Sequence, residues 1–302
     1  MTRLTSVLAT GLLTSALLLL SDGSANATPA GEIEDNTAHG LWVWKSPSVL
    51  AVRRGAETLR DFCTAEGINE VYVGFPASGD GSVESQMAHL IDLLHRSNIR
   101  AEALLSSEDA DEPGRHREAL LGRVREVIDF NRRHSADRFD GIHLDIEPQQ
   151  RPENKGSGNL RFLPGLVDTY RAVRTEAEGA RLTVNADIQI KLLKGNRAER
   201  KMLLESLPRL TLMLYELNSP ADGSSIEEQT HKLLAASRNL MDMAYAGLAG
   251  PDLASLTVAL RTPDYGPMIP QMLKALDEAH RGNLRYRGWA RHSYNDTLTP
   301  PR

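Results

Sequence analysis

The chain has 302 residues with 35 Lys and Arg against 40 Asp and Glu, a formal charge of −5, which offers no basic surface to nucleic acid or to an anionic membrane. Its one cysteine, Cys63, has no second thiol to pair with, so stability has to come from a packed core.

Residues 1–27 read as a secretory signal peptide: Arg3 near the start, an apolar run from Val7 to Leu20, and Ala25-Asn26-Ala27 as a small-residue cleavage site. The run is short for a bilayer span and the chain turns polar directly after it, so the expectation is cleavage after Ala27, export to the periplasm or medium, and no membrane attachment afterwards. Residues 28–39 read as a polar lead and residues 295–302 as a tail. Between them, 40–294 read as one catalytic domain, a monomer.

The elements in that domain alternate. Gly40–Lys45 predicts a first strand and Arg54–Glu66 a helix; Ile68–Phe75 is the second strand, followed by an amphipathic helix over Val83–Ser97. Strand three (Arg100–Leu105), a helix (Arg117–His134) and strand four (Asp140–Glu147) follow. The pattern continues with a helix over Leu160–Glu178, strand five over Arg181–Ile188, a helix over Ala198–Leu204 and strand six over Leu210–Leu217. Ile226–Ala246 is helix, Ser255–Arg261 strand seven, Met268–His280 helix and Leu284–Arg291 strand eight. Eight alternations predict an α/β fold, a single closed (β/α)8 TIM barrel. No Gly-x-Gly-x-x-Gly loop follows an early strand, which argues against an open dinucleotide-binding sheet. Connections leaving strands (106–115, 149–159 and 218–225) are longer and more polar than those entering them, which marks the strands' C-terminal ends as the working face.

Strand four carries the chemistry. Ile142, Leu144 and Ile146 alternate with His143, Asp145 and Glu147, so one face packs and the other holds three ionisable groups. Pro148 ends the strand and leaves Glu147 at its C-terminal mouth, where barrel enzymes keep catalytic groups. An unpaired carboxylate inside a barrel costs on the order of several kcal/mol, so three explanations compete: a buried ion pair with a neighbouring Arg or Lys, a metal held by one imidazole and two carboxylates, or an acid and its helper. Two carboxyls on one strand face are close enough for Asp145 to raise Glu147 by like-charge repulsion and keep it protonated near neutrality. Aromatics are 5% of the chain, yet Trp42, Trp44, Tyr72, Phe75, Tyr215, Tyr265, Tyr286, Trp289 and Tyr294 lie on or just beyond predicted strands. Flat apolar faces beside carboxylates suit sugar rings.

On these residues the chain resembles the family 18 glycoside hydrolases, chitinases and endo-β-N-acetylglucosaminidases. Asp140, Gly141, Asp145 and Glu147 match the family's Asp-Gly-x-Asp-x-Asp-x-Glu on strand four; His143 replaces its second Asp and Ile146 its usual aromatic. Leu212-Met213-Leu214-Tyr215-Glu216 is similar to the Met-x-Tyr-Asp of strand six, Pro263-Asp264-Tyr265-Gly266 to the Pro-x-Tyr-Gly after strand seven, and Trp289 to the strand-eight tryptophan. The family's Ser-x-Gly-Gly on strand three is absent; Ser106-Ser107-Glu108-Asp109 stands there.

The resemblance implies a barrel that cleaves a polysaccharide or glycan containing 2-acetamido sugars, with no cofactor and no metal. It implies Glu147 as general acid, an ionised Asp145 that orients the substrate's own acetamido group, and Tyr215 at the acetamido carbonyl. Trp42, Trp44, His143, Glu216, Tyr265 and Trp289 are the expected substrate-binding residues, with Trp289 as the floor under the sugar. A histidine at 143 is expected to hold Asp145 charged. Two other readings stand beside this one: a non-catalytic carbohydrate-binding barrel, and a metal-dependent hydrolase using His143, Asp145 and Glu147.

Overall fold

A computed structural model describes residues 37–76, 81–155, 160–215, 224–261 and 266–297. The expected signal peptide and almost all of the lead lie outside them. No helix among the described residues is long and apolar enough to cross a membrane.

Eight strands, β1 (Ala38–Val43), β2 (Glu70–Gly74), β3 (Arg100–Ser107), β4 (Gly141–Ile146), β5 (Thr183–Gln189), β6 (Arg209–Met213), β7 (Ser255–Arg261) and β8 (Tyr286–His292), pair in sequence order into a closed parallel barrel. β8 returns to β1, with Ala38 opposite Gly288 and Leu41 opposite Arg291. Helices α1 (Ser46–Leu50), α2 (Gly55–Ala65), α3 (Gly81–Arg96), α4 (Arg115–Arg133), α5 (Leu163–Glu178), α6 (Ile190–Leu193), α7 (Arg197–Leu204), α8 (Ile226–Tyr245), α9 (Ile269–Ala279) and α10 (Tyr294–Thr297) belong to the connections. All eight strands stand within a few residues of their predicted places. β1 starts at Ala38, so the last two residues expected in the lead belong to the barrel. Helices α1, α6 and α10 have four or five residues, too few for a helical period to register in the sequence.

The helices are amphipathic and cover the outer face of the sheet. Ile142, Leu144 and Ile146 of β4 lie in that outer core with Val71, Val73, Leu166 and Val258. Full burial of each such side chain contributes about 1.5–3 kcal/mol. Polar groups close the helix ends: the Asn196 side chain accepts from the amides of Ala198 and Glu199 while Glu199 reaches back to the Asn196 amide, and Ser225 caps α8. Cys63 of α2 is fully buried in this layer, and burial pushes its thiol up to about 12 despite nearby Arg291.

Two residues of the strand-four pattern turn out to serve register. Asp140 accepts from the Ala101 amide at 2.8 Å and bonds His95 Nε2 at 3.0 Å, which ties the start of β4 to β3 and α3. A Cβ on Gly141 would collide with Thr183 Oγ1 on β5, so this position needs the missing side chain. The β4 side chains above them are therefore held at fixed heights in the barrel.

Candidate active site

The barrel interior has two levels. On the lower one, Arg209 of β6 grips both oxygens of Glu70 of β2 at 2.7 Å and lies 3.7 Å from Glu102 of β3. Glu102 in turn bonds His143 Nδ1 at 3.3 Å, His143 Nε2 bonds Asp187 of β5 at 2.8 Å, and Asp187 also accepts from Trp42 Nε1 at 3.2 Å. Tyr72 stacks on the His143 ring at 3.7 Å and Trp42 meets it edge-on at 5.6 Å. All of these groups except Arg209 are almost wholly buried. Burial disfavours the imidazolium, but Asp187 and Glu102 outweigh it and push His143 up to about 9. Burial also works against an ionised Glu102, yet Arg209 and His143 hold it well below the usual carboxylate range, while burial raises Glu70 to about 7 against the pull of Arg209.

The upper level is the mouth. Asp145 stands one alternation above His143; its Oδ1 is buried and has no partner among the described residues. Burial, then the charges of Asp187 and Glu147, raise its carboxyl well above the ordinary range, and His143 only partly opposes them. The Tyr215 hydroxyl, just past β6, is likewise buried and unpartnered, and burial together with Asp187, Asp145 and Glu147 raises it. Tyr215 and Trp44 pack against the interior cluster of Trp42, Tyr72, Leu104, Ala259 and Ala290. Glu147 ends the strand. Its Oε1 accepts from Gln189 Nε2 at 2.7 Å, Gln149 Nε2 at 3.1 Å and Gln150 Nε2 at 3.4 Å. Lys191 of α6 donates to the Gln149 carbonyl at 3.3 Å. A cavity of about 660 Å³ lies between the ends of β2 and β3, the turn after β1 and α4, lined by Trp44, Phe75, Ser106, His116 and Arg123; neither Asp145, Glu147 nor Tyr215 lines it. Ser106 is the β3 partner of Asp145. Arg151 ties the loops after β3 and β4 together, with bonds to Asp111 at 2.8 Å and Glu112 at 2.9 Å.

Of the expected site residues, Glu147, Asp145, Tyr215 and Trp44 gather at this mouth. Glu216 and Tyr265 lie outside the described residues. Two expectations need correction, and one alternative reading meets an obstacle. Trp42 and His143 form the lower level, sealed from any surface a sugar reaches. Trp289 is 5% exposed and faces the helices, stacked on His39 at 4.1 Å with Nε1 on Asp277 at 3.0 Å. The cause is a bulge: β8 pairs Tyr286 with Leu256 and then Gly288 with Thr257. That one-residue slip puts Trp289 opposite outward-facing Val258 and gives the interior to Ala290 and His292. His292 packs 5.6 Å from Tyr215 and accepts from Trp44 Nε1 at 2.9 Å.

The second correction concerns charge. His143 spends both ring nitrogens on Glu102 and Asp187, so it opposes only in part the burial and the charges of Asp187 and Glu147 that push the Asp145 carboxyl up. The obstacle is to the alternative of a metal-dependent hydrolase. With both nitrogens facing carboxylates, His143 has no lone pair directed toward Asp145 and Glu147, and no group of three ligand side chains converges among the described residues. Asp187 and Gln189 escaped the sequence reading, although Asn185, Asp187 and Gln189 alternate with Val184, Ala186 and Ile188 just as the β4 residues do.

The same architecture occurs in solved structures. The spore cortex-lytic enzyme SleL of Bacillus megaterium QM B1551 superposes with a TM-score of 0.52 at 11% identity, covering 85% of this chain and 70% of that one. A chitinase from Bacteroides thetaiotaomicron gives 0.52 at 12% identity over 87% and 92% of the two chains. The glycoside hydrolase domain of PgaB (BpsB) from Bordetella bronchiseptica gives 0.51 at 12% identity over 88% and 96%. The fold is that of chitinase-like barrels. No family model and no curated protein sequence matches the chain. Within this barrel, the strand-four pattern and the barrel mouth coincide: the two carboxyls of the pattern stand above the closed lower level.

Proposed function

We propose that this chain is a secreted, monomeric glycoside hydrolase that cleaves a polysaccharide or glycan containing 2-acetamido sugars. The observation that carries the reading is the pair of buried, unpartnered polar atoms, Asp145 Oδ1 and Tyr215 Oη, beside a strand-end carboxyl whose Oε2 has no bond to any described residue. Burying such atoms without partners costs about 1–3 kcal/mol each, and a ligand that pairs them recovers that cost.

In this mechanism Glu147 gives its proton to the glycosidic oxygen. The anomeric C–O bond breaks with its electron pair going to that oxygen, while the acetamido oxygen closes on the anomeric carbon. Asp145 accepts the acetamido N–H at Oδ1, and Tyr215 donates to the acetamido carbonyl oxygen. Water then opens the cyclic intermediate, returning a proton to Glu147; this is the substrate-assisted variant of glycoside hydrolysis. The cavity beside Trp44 accommodates neighbouring sugar units, whose rings match the indole face.

Purified protein is to be screened on chitin oligomers, peptidoglycan, N-glycans and amino-sugar exopolysaccharides. Glu147→Gln is expected to lower turnover about 10²–10⁴-fold on the cleaved glycan, the usual effect of losing a general acid, with affinity within a few-fold. Undiminished turnover in that variant removes Glu147 from the reaction. Glycan binding without turnover in the unmodified chain assigns the fold to carbohydrate binding. For the exported form, N-terminal sequencing should begin at Thr28; an intact Met1 contradicts export with cleavage.

A further inference from the structure

Gln189 makes the shortest hydrogen bond to the proposed acid. It is the last residue of β5, and its side-chain amide donates to Oε1 at 2.7 Å. Gln149 and Gln150 donate to that same oxygen from the turn after Pro148, at 3.1 and 3.4 Å. Three N–H donors on one oxygen leave no acceptor capacity for a proton there. No described residue bonds Oε2, so the geometry assigns the transferable proton to Oε2.

We propose that Gln189 is a positioning residue of this site: it fixes the proton of Glu147 on Oε2 and stabilises the carboxylate left behind when that proton is transferred. The proposal rests on the reading of Glu147 as general acid. An amide bond to a neutral carboxyl oxygen is weak, while the same bond to a carboxylate is roughly twice as strong. Gln189 therefore contributes most when the glycosidic oxygen has taken the proton. An interaction that strengthens only along the reaction raises kcat and leaves KM nearly alone. Gln149 and Gln150 sit on the loop that Arg151 ties down, while Gln189 belongs to the barrel wall, so of the three donors it is the one on the most rigid element.

The charged and titratable groups around Glu147 are Asp145 and His143 on β4, Asp187 on β5, Lys191 on α6, Tyr170 on α5 and Tyr215 past β6. A carboxylate at 189 adds a negative charge facing Glu147 and replaces a donor by an acceptor. The glycan cleaved fastest in the screen above serves as the probe. Gln189→Ala is expected to lower kcat about 10-fold and Gln189→Glu about 100-fold at pH 7, with KM within about 3-fold, by analogy with removing one preorganised donor to a developing anion. In Gln189→Glu the deficit relative to the unmodified chain should shrink as pH falls and the new carboxyl protonates to become a donor again; a purely structural defect has no such recovery. Unchanged kcat in both variants, a loss confined to KM, or a Gln189→Glu deficit equal at every pH overturns the proposal. If Glu147→Gln is inert while the Gln189 variants are fully active, only this inference fails; if Glu147→Gln is active, or no glycan is cleaved, the reading of the acid fails and this one with it.

Discussion

The two levels of the barrel interior hold nearly the same kinds of side chain and treat them in opposite ways. On the lower level the charges pair off across five strands, Glu70 with Arg209, Arg209 with Glu102, and His143 between Glu102 and Asp187. At the mouth Asp145 and Glu147 have no ion pair with any described residue; buried atoms without a hydrogen bond occur on both levels, Tyr72 Oη, Glu102 Oε1 and Arg209 Nε below and Asp145 Oδ1 and Tyr215 Oη above. Burial of a polar group is common to both levels and does not separate structure from function. The presence or absence of a counter-charge does.

The comparison can be broken from below first. Arg209→Met leaves Glu70 without a counter-charge in the interior and Glu102 with His143 alone, and loss of one partner from a buried pair costs about 3–5 kcal/mol. Urea unfolding should show that loss, while turnover per folded molecule stays near normal; a large drop in turnover at unchanged stability would join the two levels into one functional unit. Asp145→Asn tests the mouth and should do the reverse, lowering turnover about 10²–10³-fold at every pH. Its stability should change by less than about 1 kcal/mol, because a neutral amide of the same shape replaces a carboxyl whose charged form burial disfavours.

A pH titration of stability sharpens the contrast without mutation. His143 is pushed up to about 9 in the folded chain, above the value of an unfolded histidine near 6.5, so its contribution is complete below about pH 6.5 and disappears as pH rises through about 9. The linkage amounts to about 3 kcal/mol. Asp145 acts in the same direction, since a carboxyl raised by burial disfavours folding once the unfolded chain ionises it, above about pH 4. His143→Asn should flatten the alkaline part of the stability curve and keep the fold; a curve parallel to that of the unmodified chain would mean that the imidazole is held neutral. The smallest effect is expected outside the barrel wall. Trp289→Phe removes the indole bond to Asp277 and should cost about 1 kcal/mol with turnover unchanged, whereas a tryptophan under the sugar would lose activity.

Much of this arrangement was readable in the chain. Alternation with a period of two marked β4 and divided Ile142, Leu144 and Ile146 from His143, Asp145 and Glu147 correctly, because that strand has no irregularity. The same rule applied to Thr183–Gln189 separates Asp187 and Gln189 from their apolar neighbours, but one carboxylate and one amide do not announce chemistry until the strand beside them is known. β8 misled for a different reason. Its bulge before Gly288 changes which face each later residue occupies; the one sign of it in the sequence is the glycine inside the strand, which has a φ of 136° and no room for a Cβ against the Ala38 carbonyl. The pairing of His143 was also out of reach, since Glu102 and Asp187 are 41 and 44 positions away in sequence and meet it only because β3 and β5 flank β4.

The solitary thiol of α2 has a use beyond packing. Cys63 is shut in the outer core and held in the unreactive S–H form, with burial pushing it up to about 12. A thiol-specific dye in mildly alkaline buffer is thus a clock for the opening of the barrel's outer layer, since thiolate is the reacting form and appears only once the segment is exposed. Labelling that tracks global unfolding in urea would make α2 part of the most stable unit of the molecule; labelling that runs ahead of it would show α2 lifting off β1 and β2 while the rest of the barrel stays closed.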